Sequence, residues 1–95
     1  MPTDLIRLIN SVGKSTFVRF YEEFRNASLA HEDVVALLPQ EYTLKSRHSR
    51  TTHARRIFRE GLEEDALEII SHAQGVDAET ASRAGELLRK LRQSK

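Results

Sequence analysis

The sequence predicts an all-α fold: a single compact domain over residues 1–95, built of five or six short helices in an orthogonal or bundle-like arrangement. Three observations predict it. No window alternates apolar and polar residues for long, so strands are not indicated. Apolar residues instead recur every three or four positions, and the chain is interrupted by only two prolines, Pro2 and Pro39, and four glycines, Gly13, Gly61, Gly75 and Gly85. Finally, 95 residues without a cysteine leave room for one core held by helix packing, with no disulfide to staple it.

Leu5, Leu8, Ile9 and Val12 share one stripe of a first helix. Phe17, Phe20, Tyr21 and Phe24 form a second stripe turned by about 100° from it, so the chain breaks near Gly13 and a new helix starts with Ser15 as its cap. This aromatic stripe is expected at the centre of the core. Ser28 caps a third helix that carries Glu32 and Asp33 in its first turns and runs through Leu38, where Pro39 ends it. A connector then leads into a helix from about Ser46 to Glu60, with Ala54, Ile57 and Phe58 inward.

Continuing that helix through Gly61 would rotate the apolar stripe by roughly 130°, because Leu62, Ala66, Ile69, Ile70 and Ala73 centre on another face. Charge picks the same break: Arg55, Arg56 and Arg59 precede it, while Glu63, Glu64 and Asp65 follow, each set favourable to its own helix dipole. Gly75 closes the acidic helix. Val76 and Asp77 then serve as N′ residue and N-cap of a last helix, whose Ala81, Ala84, Leu87, Leu88 and Leu91 lie on one face.

Fifteen Lys and Arg balance fourteen Asp and Glu, so net charge excludes nothing; its distribution is informative. Residues 42–59 hold Lys45, Arg47, Arg50, Arg55, Arg56 and Arg59 with two histidines, five Ser or Thr hydroxyls and no acid. The rest of the chain carries nine bases against fourteen acids. On a helical wheel Lys45, His48, Thr52, Arg55, Arg56 and Arg59 centre about 160° from the apolar side. Cations that displace counterions from phosphates, short hydroxyls and arginine forks on one helix face match backbone recognition of nucleic acid. Lys45 and Arg47 also sit near a helix start, where the dipole disfavours them, so helix stability did not place them there.

The site expected from this pattern is Lys45, Arg47, Arg55, Arg56 and Arg59 on phosphates, with His48, Ser49 and Thr52 nearer the bases. Arg50 projects on the flank, and its favoured role is a partly buried ion pair tying this helix to another, ahead of a phosphate contact. The cations Arg89, Lys90, Arg92 and Lys95 offer a second phosphate clamp, but at a helix carboxyl end they are first of all ordinary complements of its dipole. The same basic helix also suits an acidic protein surface, including the stretch Glu60 to Glu68 of a second copy in a homodimer. A helix, a connector and a basic helix have the order of a helix-turn-helix, but Pro39 to Lys45 is longer than its turn of 3–4 residues, so the arrangement is only distantly helix-turn-helix-like.

Other chemistry is weakly signalled. Gly13-Lys14-Ser15-Thr16 copies the end of a phosphate-binding loop, but Leu8 occupies the position of its first glycine and the preceding residues read as helix. None of His31, His48, His53 and His72 pairs with another at i, i+4, so no metal site is expected. Ser49 and His53 have that spacing, but no carboxylate lies between Glu41 and Glu60 to orient the imidazole. The expectation is therefore a small regulatory or accessory protein that binds nucleic acid, DNA ahead of RNA. It is not an enzyme and needs no cofactor or metal. The amino terminus is a poor signal peptide and no apolar run approaches a membrane span, so a cytoplasmic protein without a membrane partner is expected.

Overall fold

Residues 4–94 are described by the computed structural model. They form seven helices and, among them, no strand: α1 (Leu5–Val12), α2 (Lys14–Arg19), α3 (Tyr21–Arg25), α4 (His31–Leu37), α5 (Leu44–Arg59), α6 (Glu63–Ser71) and α7 (Ala78–Gln93).

Asp4 starts α1 by accepting the Arg7 N–H, and the stripe of Leu8, Ile9 and Val12 is buried. Gly13 breaks the chain there with φ of +93°, a conformation that residues with a Cβ avoid. The aromatic stripe is two short helices, because the chain kinks at Phe20 (φ −108°, ψ 24°). The kink separates α2 from α3 without interrupting the cluster. The Phe17 ring, fully buried, lies 5.8 Å from Tyr21, 6.5 Å from Phe24 and 5.6 Å from Phe58 of α5. Burial, reinforced by the Glu63 carboxylate, pushes the Tyr21 phenol above its ordinary pKa.

α4 begins three residues after the expected cap. The Ser28 N–H is taken by the Asn26 side chain and Leu29 N–H by the Asn26 carbonyl, which makes residues 26–29 a turn. Ala30 occupies the N-cap position, and its N–H is accepted by Asp33 from within the helix. Leu38 is extended, as the residue before a proline must be, and α4 stops there. α5 starts earlier than expected, because the Thr43 hydroxyl accepts the Ser46 N–H.

α5 does end before Gly61. The Leu62 N–H bonds the Ile57 carbonyl and the Gly61 N–H the Phe58 carbonyl, with Gly61 at φ +69°, which is a Schellman termination. α6 ends at Ser71, short of Gly75, which lies in the following loop. Asp77 caps α7 as expected, accepting from both the N–H and the hydroxyl of Thr80.

α5 is the hub: it packs on α1, α3, α4 and α6, and buries Thr51, Ala54 and Ile57 completely. α6 and α7 pair extensively, with Ala66, Leu67, Ile70, Ala84, Leu87 and Leu88 buried, and rest on α1 and α2. The radius of gyration, 12.6 Å, is close to the ~12.4 Å expected of a single globule of this length. No helix is long and apolar enough to cross a membrane.

Candidate nucleic-acid interface

α5 is packed on four neighbours, which bury Thr51, Ala54 and Ile57 and half-bury the residues flanking them; its most exposed side chains, apart from Leu44 at its start, fall on one face. Lys45, Ser49, Thr52, Arg56 and Arg59 are exposed, at steps of four, three, four and three residues. They form one straight stripe about 21 Å long. Arg56 Nε donates to Glu60 Oε2 at 2.6 Å. Among the described residues, Lys45 and Arg59 have neither an ion pair nor a side-chain hydrogen bond.

The other three expected site residues lie off this stripe. Arg55 reaches across to the turn before α4, where its Nη2 donates to the Leu29 carbonyl at 2.7 Å and the Asn26 carbonyl at 3.3 Å. It pins the turn at residues 26–29 to α5 through that turn's backbone carbonyls. Arg47 is half-buried, with its Nε out of solvent and unpartnered among the described residues. His48 is half-buried against α4: its Nδ1 lies 2.9 Å from His31 Nε2, and its Nε2 lies 3.9 Å from Glu32 Oε2.

Arg50 ties α5 to the α1–α2 junction, as its place on the flank implies, but through a carbonyl and a ring rather than a carboxylate. Its Nη1 donates to the Val12 carbonyl at 2.6 Å and its Nε to Ser46 Oγ at 2.9 Å. Its guanidinium carbon lies 3.9 Å from the centroid of the Tyr42 ring, and the Tyr42 hydroxyl is 3.1 Å from Thr16 Oγ1. This arrangement disposes of a phosphate loop at Gly13. The Gly13 N–H is bonded to the Ile9 carbonyl, Lys14 Nζ donates to Asn10 Oδ1, and Thr16 is buried.

Ser49 and His53 do meet, at 3.3 Å between Oγ and Nδ1. The same Nδ1 lies 2.7 Å from the Ser49 carbonyl, an acceptor only, so that nitrogen carries the proton and has no lone pair for the hydroxyl. The acidic stretch does not fold onto the basic stripe as a whole. Arg92 of α7 instead spans Glu64 and Glu68 of α6, at 3.6 and 2.8 Å, which also removes it from any phosphate clamp at the carboxyl end. A groove of about 700 Å³ opens between α2, Pro39, Tyr42 and the start of α7, lined by Arg19 and Arg83 but also by Asp77, Glu79 and Glu86. Its mixed charge gives it no preference for an anion.

Sequence spacing missed the convergence of His31 and His48, which lie 17 residues apart on different helices and meet only because the segment from Asn26 to Leu37 runs antiparallel along α5. No protein-family model, curated protein or solved structure matches this chain.

Proposed function

We propose that this protein binds duplex nucleic acid, DNA ahead of RNA, through the exposed stripe of α5, with Lys45, Arg56 and Arg59 on phosphates and Ser49 and Thr52 between them. The observation that carries the reading is the stripe itself: three cations and two short hydroxyls in line on the exposed face of α5, two of the cations without a carboxylate partner among the described residues. One exposed helix face can lie along the mouth of the wide B-form major groove, whereas side chains cannot reach into the deep, narrow groove of A-form RNA. Five of the eight residues expected from the sequence belong to this stripe; His48 and Arg55 are engaged within the fold, and Arg47 is half-buried beside it.

Three neutralised phosphates set a slope of log K against log salt of about −2.7. Fluorescence anisotropy with a labelled duplex should give that slope. Replacing Lys45 and Arg59 together with Ala should flatten it by about 1.8, and replacing Arg89 and Lys90 of α7 should leave it unchanged. Absence of salt-sensitive binding to any duplex or single strand would overturn the proposal. The rival reading, contact with an acidic protein surface, uses the same stripe. Its self-pairing form needs Glu60 to Glu68 open to a second copy, and the clasp of Arg92 on Glu64 and Glu68 weighs against it.

A further inference from the structure

The amino-terminal turn of α4 and the second turn of α5 bring together three side chains of metal-binding type. His31, Glu32 and His48 each offer one donor atom, and those atoms all lie within 4.8 Å of one another. The geometry of the two imidazoles is specific. Their facing nitrogens are 2.9 Å apart, while the ring centroids are 5.1 Å apart and the planes differ by 17°. The excess of the second distance over the first is about that from the two ring centres to their nitrogens. The rings therefore meet edge to edge and nearly coplanar, with the in-plane lone-pair direction of each aimed at the other.

A single proton between two such nitrogens makes a hydrogen bond; removing that proton leaves two lone pairs converging on one point. Tetrahedral zinc, with bonds of about 2.0–2.1 Å, needs its donor atoms about 3.3 Å apart. The imidazoles must separate by a few tenths of an ångström, and the exposed Glu32 carboxylate, whose Oε2 now lies 3.9 Å from His48 Nε2, must swing across towards the Nδ1 side of that ring. Both movements are side-chain adjustments on anchored backbone: α5 is the hub of the core, and the turn before α4 is held by Arg55.

We infer that His31 Nε2, His48 Nδ1 and the Glu32 carboxylate form a binding site for a divalent transition metal of the zinc class, joining α4 to α5. Two imidazoles and one carboxylate favour zinc, cobalt or nickel over magnesium or calcium, which prefer all-oxygen shells. Three protein ligands leave a fourth position to water, the pattern of an open rather than a closed structural site. The inference is independent of the nucleic-acid reading, because none of its ligands lies on the exposed stripe.

The test is calorimetric titration of zinc chloride into tag-free, chelator-stripped protein. One ion per chain should bind saturably, and magnesium should not compete. His31→Ala, His48→Ala and Glu32→Gln should each weaken zinc by at least about 10-fold, the lower end of what even an outer-shell partner contributes. His72→Ala, which removes an exposed imidazole elsewhere, should change nothing. Circular dichroism of the metal-free variants checks folding, and Glu32→Gln, at the exposed surface, remains decisive if a histidine variant fails to fold. Cobalt should give the visible absorption of a tetrahedral centre in the parent protein only. Absence of saturable zinc uptake, or uptake undiminished in His31→Ala or Glu32→Gln, overturns the site.

Discussion

Arg50 shows how one side chain settles several questions at once. It satisfies the carbonyl at the end of α1, lies over the Tyr42 ring, and holds its guanidinium so close to Gly13 that a Cβ there would lie 2.8 Å from Nη1. Arg50→Ala leaves the Val12 carbonyl open and strips the Tyr42 ring, so it should destabilise by about 2–4 kcal/mol in urea unfolding. Arg50→Lys should recover little of this, because an ammonium cannot serve the carbonyl and the Ser46 hydroxyl as a fork does. Gly13→Ala combines a left-handed φ with that close approach and should cost about 1–3 kcal/mol. The two substitutions share a contact. The double variant should therefore lose less than the sum of the singles, and strict additivity in the cycle would show that the guanidinium does not crowd Gly13. The flank position of Arg50 was legible from helical periodicity, but its partners were not, since the Val12 carbonyl is 38 residues distant.

At the scale of the element, boundaries set by backbone chemistry within a few residues were legible. Gly61 ends α5 because only a residue at ease with positive φ completes the two terminal hydrogen bonds, and the stripe rotation marks the same place. Asp77 caps α7, and its Thr80 hydrogen bonds, side-chain bond first, hold the carboxyl below its ordinary value of 3.8. A carboxyl depressed in the fold stabilises above the unfolded value, and that contribution is lost as pH falls through the lower folded value. Thermal unfolding across the acid range should therefore show α7 loosening on acidification. Asp77→Asn caps without titrating, so it should keep most of the stability at neutral pH and lose part of the acid dependence. An unchanged acid limb would mean that the capped carboxylate contributes nothing to it. The start of α4 was misread because one local acceptor and one distant donor hold the residues before it as a turn. The Asn26 side chain captures Ser28, Arg55 pins the Leu29 carbonyl, and the helix begins only once Asp33 can cap it from inside.

Over the whole molecule, the all-α class was legible because it follows from periodicity, and the seventh helix arises only from the kink at Phe20. The site was legible in part. Sequence places the cations on α5, but which of them stay in water depends on neighbours far along the chain. Arg55 is drawn to a turn 26 residues away, whereas Lys45 and Arg59 find no carboxylate among the described residues. The Arg–Glu pairs among the described residues are all partly exposed, so each is worth at most about 1 kcal/mol. A tenfold rise in salt to about 1 M should shift the unfolding midpoint by less than roughly 5 °C. The same change should weaken duplex binding by about 500-fold. A collapse of the fold over that range would show that surface charge, not the aromatic and aliphatic core, holds the molecule together.

The strap from Asn26 to Leu37 is buttoned to α5 along its first half, by Arg55 at Asn26 and Leu29 and by the imidazole pair at His31, while Val34 and Val35 anchor the second half in the core. His48 and Arg55 are seven residues apart, on one face of a rigid hub, so slackening the strap takes the release of both fasteners and of the buried valines together. It comes away as one piece rather than fraying from a tip, and its amides share a single opening event.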